Sequence, residues 1–478
     1  MIQLRPYQTD FVAALRSAMR KNRRVLGVAA TGSGKTVVFT HIVNSAVARG
    51  KRVVICAHRQ EILMQISLAL GQFGVRHGWI MPGRTPTCDC VQLAMIQTLM
   101  RRVEKILEPD LLVIDEAHHV ASGCYEKLLS RWSSFVLGVT ATPERLDGKG
   151  LSSAFDEMIL GPQTAWLVEN NYLSQYTYLA PPEAADLSGI KTRMGDFAID
   201  QLANALDKAT ITGDLIQHYQ KYLNGKSAVT FCVNIAHAEH VAAQFNAAGI
   251  ASASIDGRTE RGERFRLLEA LGTGELKNLT SCDLIGEGVD VPSVNGAILA
   301  RPTKSLALHL QQVGRVLRIK PDGSRAIILD HVGNVRRHGL PDLPRPWSLD
   351  GTGKKKTEYP VKTCETCFRA FHAVGNWRDE AECGLPDAQS GCVLNPEKSD
   401  DTPSIREIAH RDGELSVVTD SPSWAGGISI PRASGAEFKA LLAKAETREQ
   451  LKEIAKLRGY HHRWVNHIMA SRAGRRAA

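Results

Sequence analysis

No run of 18 consecutive apolar residues occurs in this 478-residue chain, which excludes a membrane-spanning helix of the ordinary kind. The opening, MIQLRPYQTD, lacks the apolar core of a secretory signal, so a cytoplasmic protein with reduced thiols is expected. No internal repeat of fixed period is present. Acidic residues fall short of basic ones, 50 against 59, leaving a formal charge of +9 that suits a polyanionic partner without proving one. What is there is ordinary for a globular protein. Hydrophobic residues make up 43% and charged residues 23%, which argues against wholesale disorder, and the length fits two or three domains.

Ten cysteines divide into two groups. Cys56, Cys88, Cys90, Cys124, Cys232 and Cys282 are scattered and read as small buried hydrophobes. Cys364-x2-Cys367, Cys383 and Cys392 cluster in a segment too poor in apolar residues to fold on a core alone. Four thiolates suit a closed tetrahedral structural Zn2+ site. His372 is near enough in sequence to replace one of them. The alternative, a redox pair, lacks a surrounding βαβ pattern.

From Val25 onward, short apolar runs alternate with amphipathic stretches. The runs Val25–Ala29, Arg52–Ala57, Leu111–Asp115 and Ser134–Thr140 predict strands, and 36–49 and 60–73 predict helices. A second series comprises Ala228–Val233, Ser252–Ile255, Leu279–Cys282, Gly296–Ala300 and Arg325–Asp330. The expected fold is α/β, two similar parallel-sheet domains in tandem over 1–160 and 161–335. Between the series, 160–222 reads as connecting and peripheral structure. Four prolines and a lysine run make 336–363 a linker. A zinc-binding module over 364–395 and a polar linker with a basic helical end over 396–478 complete the chain. Residues 436–478 hold ten Lys or Arg against four Glu.

The stretch Ala29-Ala30-Thr31-Gly32-Ser33-Gly34-Lys35-Thr36 follows a predicted strand and opens a predicted helix. Backbone N–H groups of such a turn, with the helix dipole behind them, can wrap phosphate oxygens. Lys35 would reach the β- and γ-phosphates and the Thr36 hydroxyl would ligate Mg2+. Asp115 and Glu116, just past an apolar strand, suit metal positioning and activation of water. Taken singly, each element could be a helix cap or turn.

Together these residues resemble the superfamily 2 helicases, from Leu4 to Arg318. Ala29–Thr36 resembles motif I, Asp115-Glu116-Ala117-His118 motif II in its DEAH form, and Thr140-Ala141-Thr142-Pro143 motif III. Asp283–Pro292 is similar to motif V, Gln311–Arg318 to motif VI, and Leu4–Gln8 to the adenine-reading element. The resemblance implies that the two tandem parallel-sheet domains are RecA-like, and it implies ATP with Mg2+. It implies Gln8 on the adenine edge with Arg5 and Tyr7 in support, Asp290 near the ribose, and Gln311 placing water. Arg315 and Arg318 would meet the γ-phosphate from the second domain, and Thr140 and Thr142 would couple nucleotide state to the nucleic-acid track. That track would include His58 and Arg59, Gln97 and Thr98, Thr280 with Ser281, and the loop around Arg258, contacts that position a backbone without reading bases. Each of these could instead be a solvated loop residue.

The order of parts is most similar to RadD-like bacterial and phage helicases, which favours DNA as partner. An RNA helicase, or an ATP-switched binding or annealing protein that separates no strands, are the other readings. No nuclease or methylase constellation stands out, so a restriction motor would need separate subunits. In the tail, Arg458 to Trp464 mixes aromatic and basic residues, a pattern for stacking on bases or for an ordinary packed helix.

Overall fold

A computed structural model of the chain describes residues 3–351 except 86, 122, 145–149, 181–189, 194–195, 199–201, 203–214 and 283–293, together with 361–363, 370–372 and 416–420. Two seven-stranded sheets dominate it. The first contains β1 (Arg24–Val28), β2 (Val53–Ala57), β3 (Gly78–Ile80), β4 (Val91–Met95), β5 (Leu111–Asp115), β6 (Phe135–Thr140) and β7 (Glu157–Leu160), in the order β3-β4-β2-β5-β6-β1-β7, all parallel. A hairpin of β9 (Thr192–Arg193) and β10 (Asp196–Phe197) follows the strand β8 (Tyr176–Ala180) in sequence. The second sheet joins β8 to β11 (Ala228–Phe231), β12 (Ser252–Ile255), β13 (Asn278–Ser281), β14 (Gly296–Leu299) and β15 (Ala326–Asp330), in the order β12-β13-β11-β14-β15-β8. A small hairpin, β16 (Val361–Thr363) with β17 (Ala370–His372), comes next, and β18 (Ser416–Asp420) closes the second sheet antiparallel to β8.

Both faces of each sheet are covered, as nearly continuous apolar strands require. Along β2, Val53 and Ile55 enter one core while Val54 and Cys56 enter another, and β5 divides Leu111 and Val113 from Leu112 and Ile114 in the same way. In the second lobe Ala297 and Leu299 face one cluster and Ile298 the other. Strand alternation with helices packed on either side produces this pattern.

Every strand predicted above is present within two residues of its expected ends. The differences have local causes. β4 runs into the helix Ile96–Arg102 with no Gly or Pro between them, so the sequence offers no boundary. The stretch expected to be peripheral supplies β8, an interior strand. Tyr176 and Tyr178 are fully buried there, and the Tyr178 hydroxyl donates to Asp330 Oδ2 at 2.9 Å. β18 arises inside a stretch read as polar linker, where Val417, Val418 and Thr419 carry strand propensity. Cys88 and Cys90 are exposed, Cys124 and Cys282 partly so, against the expectation of burial; Cys56 and Cys232 are buried.

The chain beyond the second lobe returns to the first. Leu349 O accepts from Leu151 N at 2.7 Å and from Ser152 N at 3.0 Å, and Trp347 and Leu349 pack on a first-lobe core. A Cβ at Gly150 would fall on the Leu349 carbonyl, so glycine permits this backbone approach. Among the described residues no helix is long and apolar enough to cross a membrane. Cys364, Cys367, Cys383 and Cys392, and the basic helical end, lie outside the described residues.

Candidate active site at the lobe interface

The turn from β1 to the helix Lys35–Val47 needs backbone that only glycine adopts cheaply. Gly32 and Gly34 both have φ near +83°, and Gly34 is the residue that caps the helix. The cap leaves the first helical N–H groups open to an anion. Ser33 Oγ and Thr31 Oγ1 are buried and accept or donate no hydrogen bond. The helix Pro6–Met19 clamps the turn from behind. Its cap residue Arg5 donates N–H to Gln8 Oε1 at 3.0 Å, Gln8 Nε2 donates to Ser33 O at 3.1 Å, and the Tyr7 hydroxyl donates to the same carbonyl at 2.8 Å. Gln8 therefore supports the phosphate turn directly, whatever else its amide meets. Arg5 lies over the Tyr172 ring at 5.4 Å, and Tyr172 stacks on Trp166.

β5 delivers Asp115 and Glu116 beside this turn. Glu116 has φ of 48°, a left-handed conformation rare outside glycine, and its N–H donates to Asp115 Oδ1 at 2.9 Å. Such strain costs roughly 1–3 kcal/mol and gathers at functional sites. Burial, then the neighbouring Glu116 charge, push the Asp115 carboxyl up to about 7, while Lys35 pulls it down. Burial holds the Lys35 ammonium below the ordinary lysine range; Glu116 and Asp115 oppose that, and Arg315 and Arg318 add to it. Lys35 Nζ donates to Ala29 O at 3.3 Å, at the start of the phosphate turn. Glu116 Oε2 makes no hydrogen bond, although His118 Nδ1 stands 3.4 Å away.

The two arginines come from the second lobe. Ser305 caps the helix Leu306–Val316 by accepting from Leu308 N at 3.1 Å, which sets Gln311 and Arg315 one turn apart on one face. The Cβ that Gly32 lacks would lie 3.7 Å from Gly314 O and 3.9 Å from Arg318 Cγ, so this helix end lies on the phosphate turn. Gln311 is 3% exposed with neither amide atom hydrogen-bonded. A buried amide without partners is costly. The role that the motif resemblance implies for Gln311, placing the attacking water, would give this amide a partner.

Motif III touches motif II through Thr140 and His118. Thr140 Oγ1 donates to Thr142 O at 3.0 Å and lies 3.1 Å from His118 Nδ1. The His118 ring packs on His119 at 4.1 Å and His119 on His58 at 4.3 Å, which joins the DEAH turn to motif Ia. Sequence reasoning did not single out His119, nor the aromatic pair Trp166 and Tyr172.

The residues expected on the nucleic-acid track fare unequally. Gln97 is exposed, Arg59 partly exposed, and Arg258 keeps 72% of its side-chain exposure. Thr98 is buried. Thr280 is fully buried, and its hydroxyl donates to Ala238 O at 2.8 Å, so it reaches no surface; Ser281 is buried too. The strand geometry, with Thr280 pointing into the helix-covered face, corrects that expectation. Asp290 and the rest of motif V lie outside the described residues.

Comparison with known proteins agrees with this geometry. Residues 1–145 match the family described as "Type III restriction enzyme, res subunit", and residues 207–320 match the "Helicase conserved C-terminal domain". The chain is 35% identical over 339 residues to the 51.5 kDa protein of a Lactococcus phage, covering 70% of this chain and 72% of that one. IRC3 of Saccharomyces cerevisiae, named as a candidate ATP-dependent helicase, is 29% identical over 355 residues, 69% of this chain and 51% of that one. The chain thus spans about half the length of that relative. XPB2 of Sulfurisphaera tokodaii, named a DNA 3'-5' translocase, is 24% identical over 364 residues, 67% of this chain and 79% of that one. With a phosphate turn on one lobe, a Q-x-x-G-R-x-x-R helix closing on it from the other, and these relatives, the chain belongs to the superfamily 2 helicases and carries their ATP-hydrolysing core.

Proposed function

We propose that this protein is an ATP-driven translocase or helicase acting on DNA, in repair, recombination or phage replication. The observation that carries the reading is the seating of the second-lobe helix on the phosphate turn of the first, where a Cβ at Gly314 would lie 2.5 Å from Thr31 and one at Gly32 would lie 3.9 Å from Arg318 Cγ. A motor needs such a joint, because it makes hydrolysis depend on lobe closure.

In this reading Lys35 and the open N–H groups after Gly34 hold the phosphates, and Gln8 and Arg5 meet the adenine. The donor set fits Mg2+: Thr36 offers a hydroxyl and Asp115 a carboxylate, hard oxygens at the phosphate turn. When bound, the ion would screen phosphate charge. Glu116, with an Oε2 free of hydrogen bonds, takes a proton from the attacking water, and Gln311 holds that water in line. Arg315 and Arg318 neutralise charge as it moves onto the transferring phosphoryl oxygens. Asp290 is assigned to the ribose on its motif alone. The link Thr140–His118–His119–His58 carries the state of Glu116 toward the strand-binding turns.

His58, Arg59, Gln97 and Arg258 are proposed to grip a sugar-phosphate backbone. Such contacts do not by themselves choose between DNA and RNA. The preference for DNA is supported by the XPB2 relative, whose name specifies DNA, and by the RadD-like order of parts. The divisions 1–160, 161–335, 336–363, 364–395 and 396–478, a Zn2+ held by Cys364, Cys367, Cys383 and Cys392, and a basic helical end belong to the same proposal. The deciding experiment compares ATPase stimulation by single-stranded DNA, duplex DNA and RNA. Strong stimulation by DNA supports the assignment, and stimulation by RNA alone reverses it. Stimulation by DNA without displacement of a strand from a tailed duplex assigns a translocase or an ATP-switched binder.

A further inference from the structure

Away from the nucleotide, a second contact joins the lobes. Glu61 stands in the first turn of the helix Gln60–Gln72 on the first lobe, and Arg264 in the first turn of the helix Arg261–Thr273 on the second. Arg264 Nη1 donates to Glu61 Oε1 at 2.7 Å, with the side chains only 16% and 34% exposed. The rest of the guanidinium is engaged as well. Nε donates to Thr259 O at 3.0 Å and Nη2 to Gly257 O at 3.0 Å. A planar fork held by two backbone carbonyls can offer its remaining edge in one direction only. That separates this pair from exposed ion pairs, whose two long side chains fix nothing.

What the pair connects is specific. Glu61 follows His58 by three residues and Arg59 by two. Gly257 to Thr259 is a turn built on Asp256, whose Oδ1 accepts from Arg258 N at 2.6 Å and from Thr259 N at 3.1 Å. The same carboxylate, through Oδ2, accepts from Arg258 Nε at 3.3 Å and Nη2 at 3.1 Å, which steadies an otherwise exposed arginine. One ion pair thus ties together two turns on different lobes, each carrying an arginine.

We propose that Glu61 and Arg264 are positioning residues, a clasp that holds Arg59 and Arg258 at a fixed separation so that both meet one sugar-phosphate backbone. This rests on the reading of the chain as a nucleic-acid motor. Fixing the two cations in advance lowers the ordering cost that a strand meets on binding. The clasp also makes strand affinity depend on lobe closure, since opening the lobes parts Glu61 from Arg264.

The test uses the full chain, ATPase as readout and single-stranded oligothymidylate as probe. Glu61→Gln, close in shape but uncharged, is expected to raise the oligonucleotide concentration for half-maximal stimulation by roughly tenfold, with the KM for ATP and the melting temperature as in the parent. Glu61→Ala should behave alike, and Glu61→Ala added to Arg264→Ala should cost nothing more than Arg264→Ala alone. Unchanged half-saturation in Glu61→Gln, full additivity of the two alanine changes, or a fall in melting temperature with uniform loss of activity would each overturn the clasp. A parent that no nucleic acid stimulates would instead remove the motor reading, and the clasp with it.

Discussion

Gly314 of the second lobe meets Thr31 of the phosphate turn with no space for a methyl group: a Cβ there would lie 2.5 Å from both Cβ and Cγ2 of Thr31. Glycine inside a helix is ordinarily a weakness, worth about 1 kcal/mol against alanine. Its use here is to let the helix backbone touch the phosphate turn. Gly314→Ala should therefore lower stimulated ATP turnover by at least about tenfold, because overpacking of about 1–3 kcal/mol must shift either Thr31 or the helix. Steady-state ATPase with saturating DNA reads the effect. Parental turnover would mean that the lobes stay farther apart during hydrolysis.

Lys35 and Glu116 should separate binding from chemistry. Lys35→Ala removes the ammonium at the first position of the helix behind the phosphate turn, so ATP affinity and turnover should both fall. Glu116→Gln should retain nucleotide and DNA binding while hydrolysis slows by roughly 100-fold or more, the usual contribution of a general base. Nucleotide binding measured beside turnover distinguishes the two. A Glu116→Gln protein that turns over ATP like the parent would remove Glu116 from the chemistry.

Arg315→Lys tests the joint between lobes. Lysine keeps the charge but cannot hold two phosphoryl oxygens as a planar fork does. ATP affinity should largely survive, since the first-lobe turn is intact, while DNA-stimulated hydrolysis should drop by roughly 10³-fold, in the range seen for arginine fingers. Turnover within a factor of about two of the parent would place Arg315 outside the transition state.

Acid should loosen the second lobe. His309 and His338 stack at 5.1 Å. Burial first, then neighbouring charges including Arg345, hold His338 down to about 4 and His309 well below its usual range. Between the ordinary histidine value near 6.5 and about 4, the unfolded chain binds more protons than the folded one. Stability therefore rises with pH through that window and is lost on acidification, by about 1.4 kcal/mol per pH unit for each such group. Thermal melts at pH 7, 6 and 5 should show the decline, and His338→Gln should flatten part of it. Equal slopes in parent and variant would mean that His338 titrates normally.

Zinc should be carried at about one ion per chain if the cysteine cluster forms a closed tetrahedral site. Elemental analysis of purified protein measures it, and Cys364→Ser with Cys367→Ser should abolish it. Basal ATPase should largely survive that loss while DNA affinity changes. A metal-free preparation whose C-terminal region is fully folded would refute the site.

Much of this protein was legible in the residues alone, because its chemistry is local. A phosphate turn needs glycines at particular backbone angles, a lysine and a hydroxyl within eight residues, and Gly32, Gly34, Lys35 and Thr36 supply them in order. Paired carboxylates at the end of an apolar strand need only Asp115 and Glu116. Strand and helix periodicity located the principal strands for the same reason. Tertiary structure decided what depends on distant partners. It buried Thr280 under Ala238, made Tyr176–Ala180 an interior strand against Asp330, and engaged Gln8 with Ser33. It also brought Arg264 to Glu61 across 203 residues. Each of these is a relation between segments that no short pattern encodes, because burial and hydrogen-bond partners are settled only when the sheets pack and the two lobes meet.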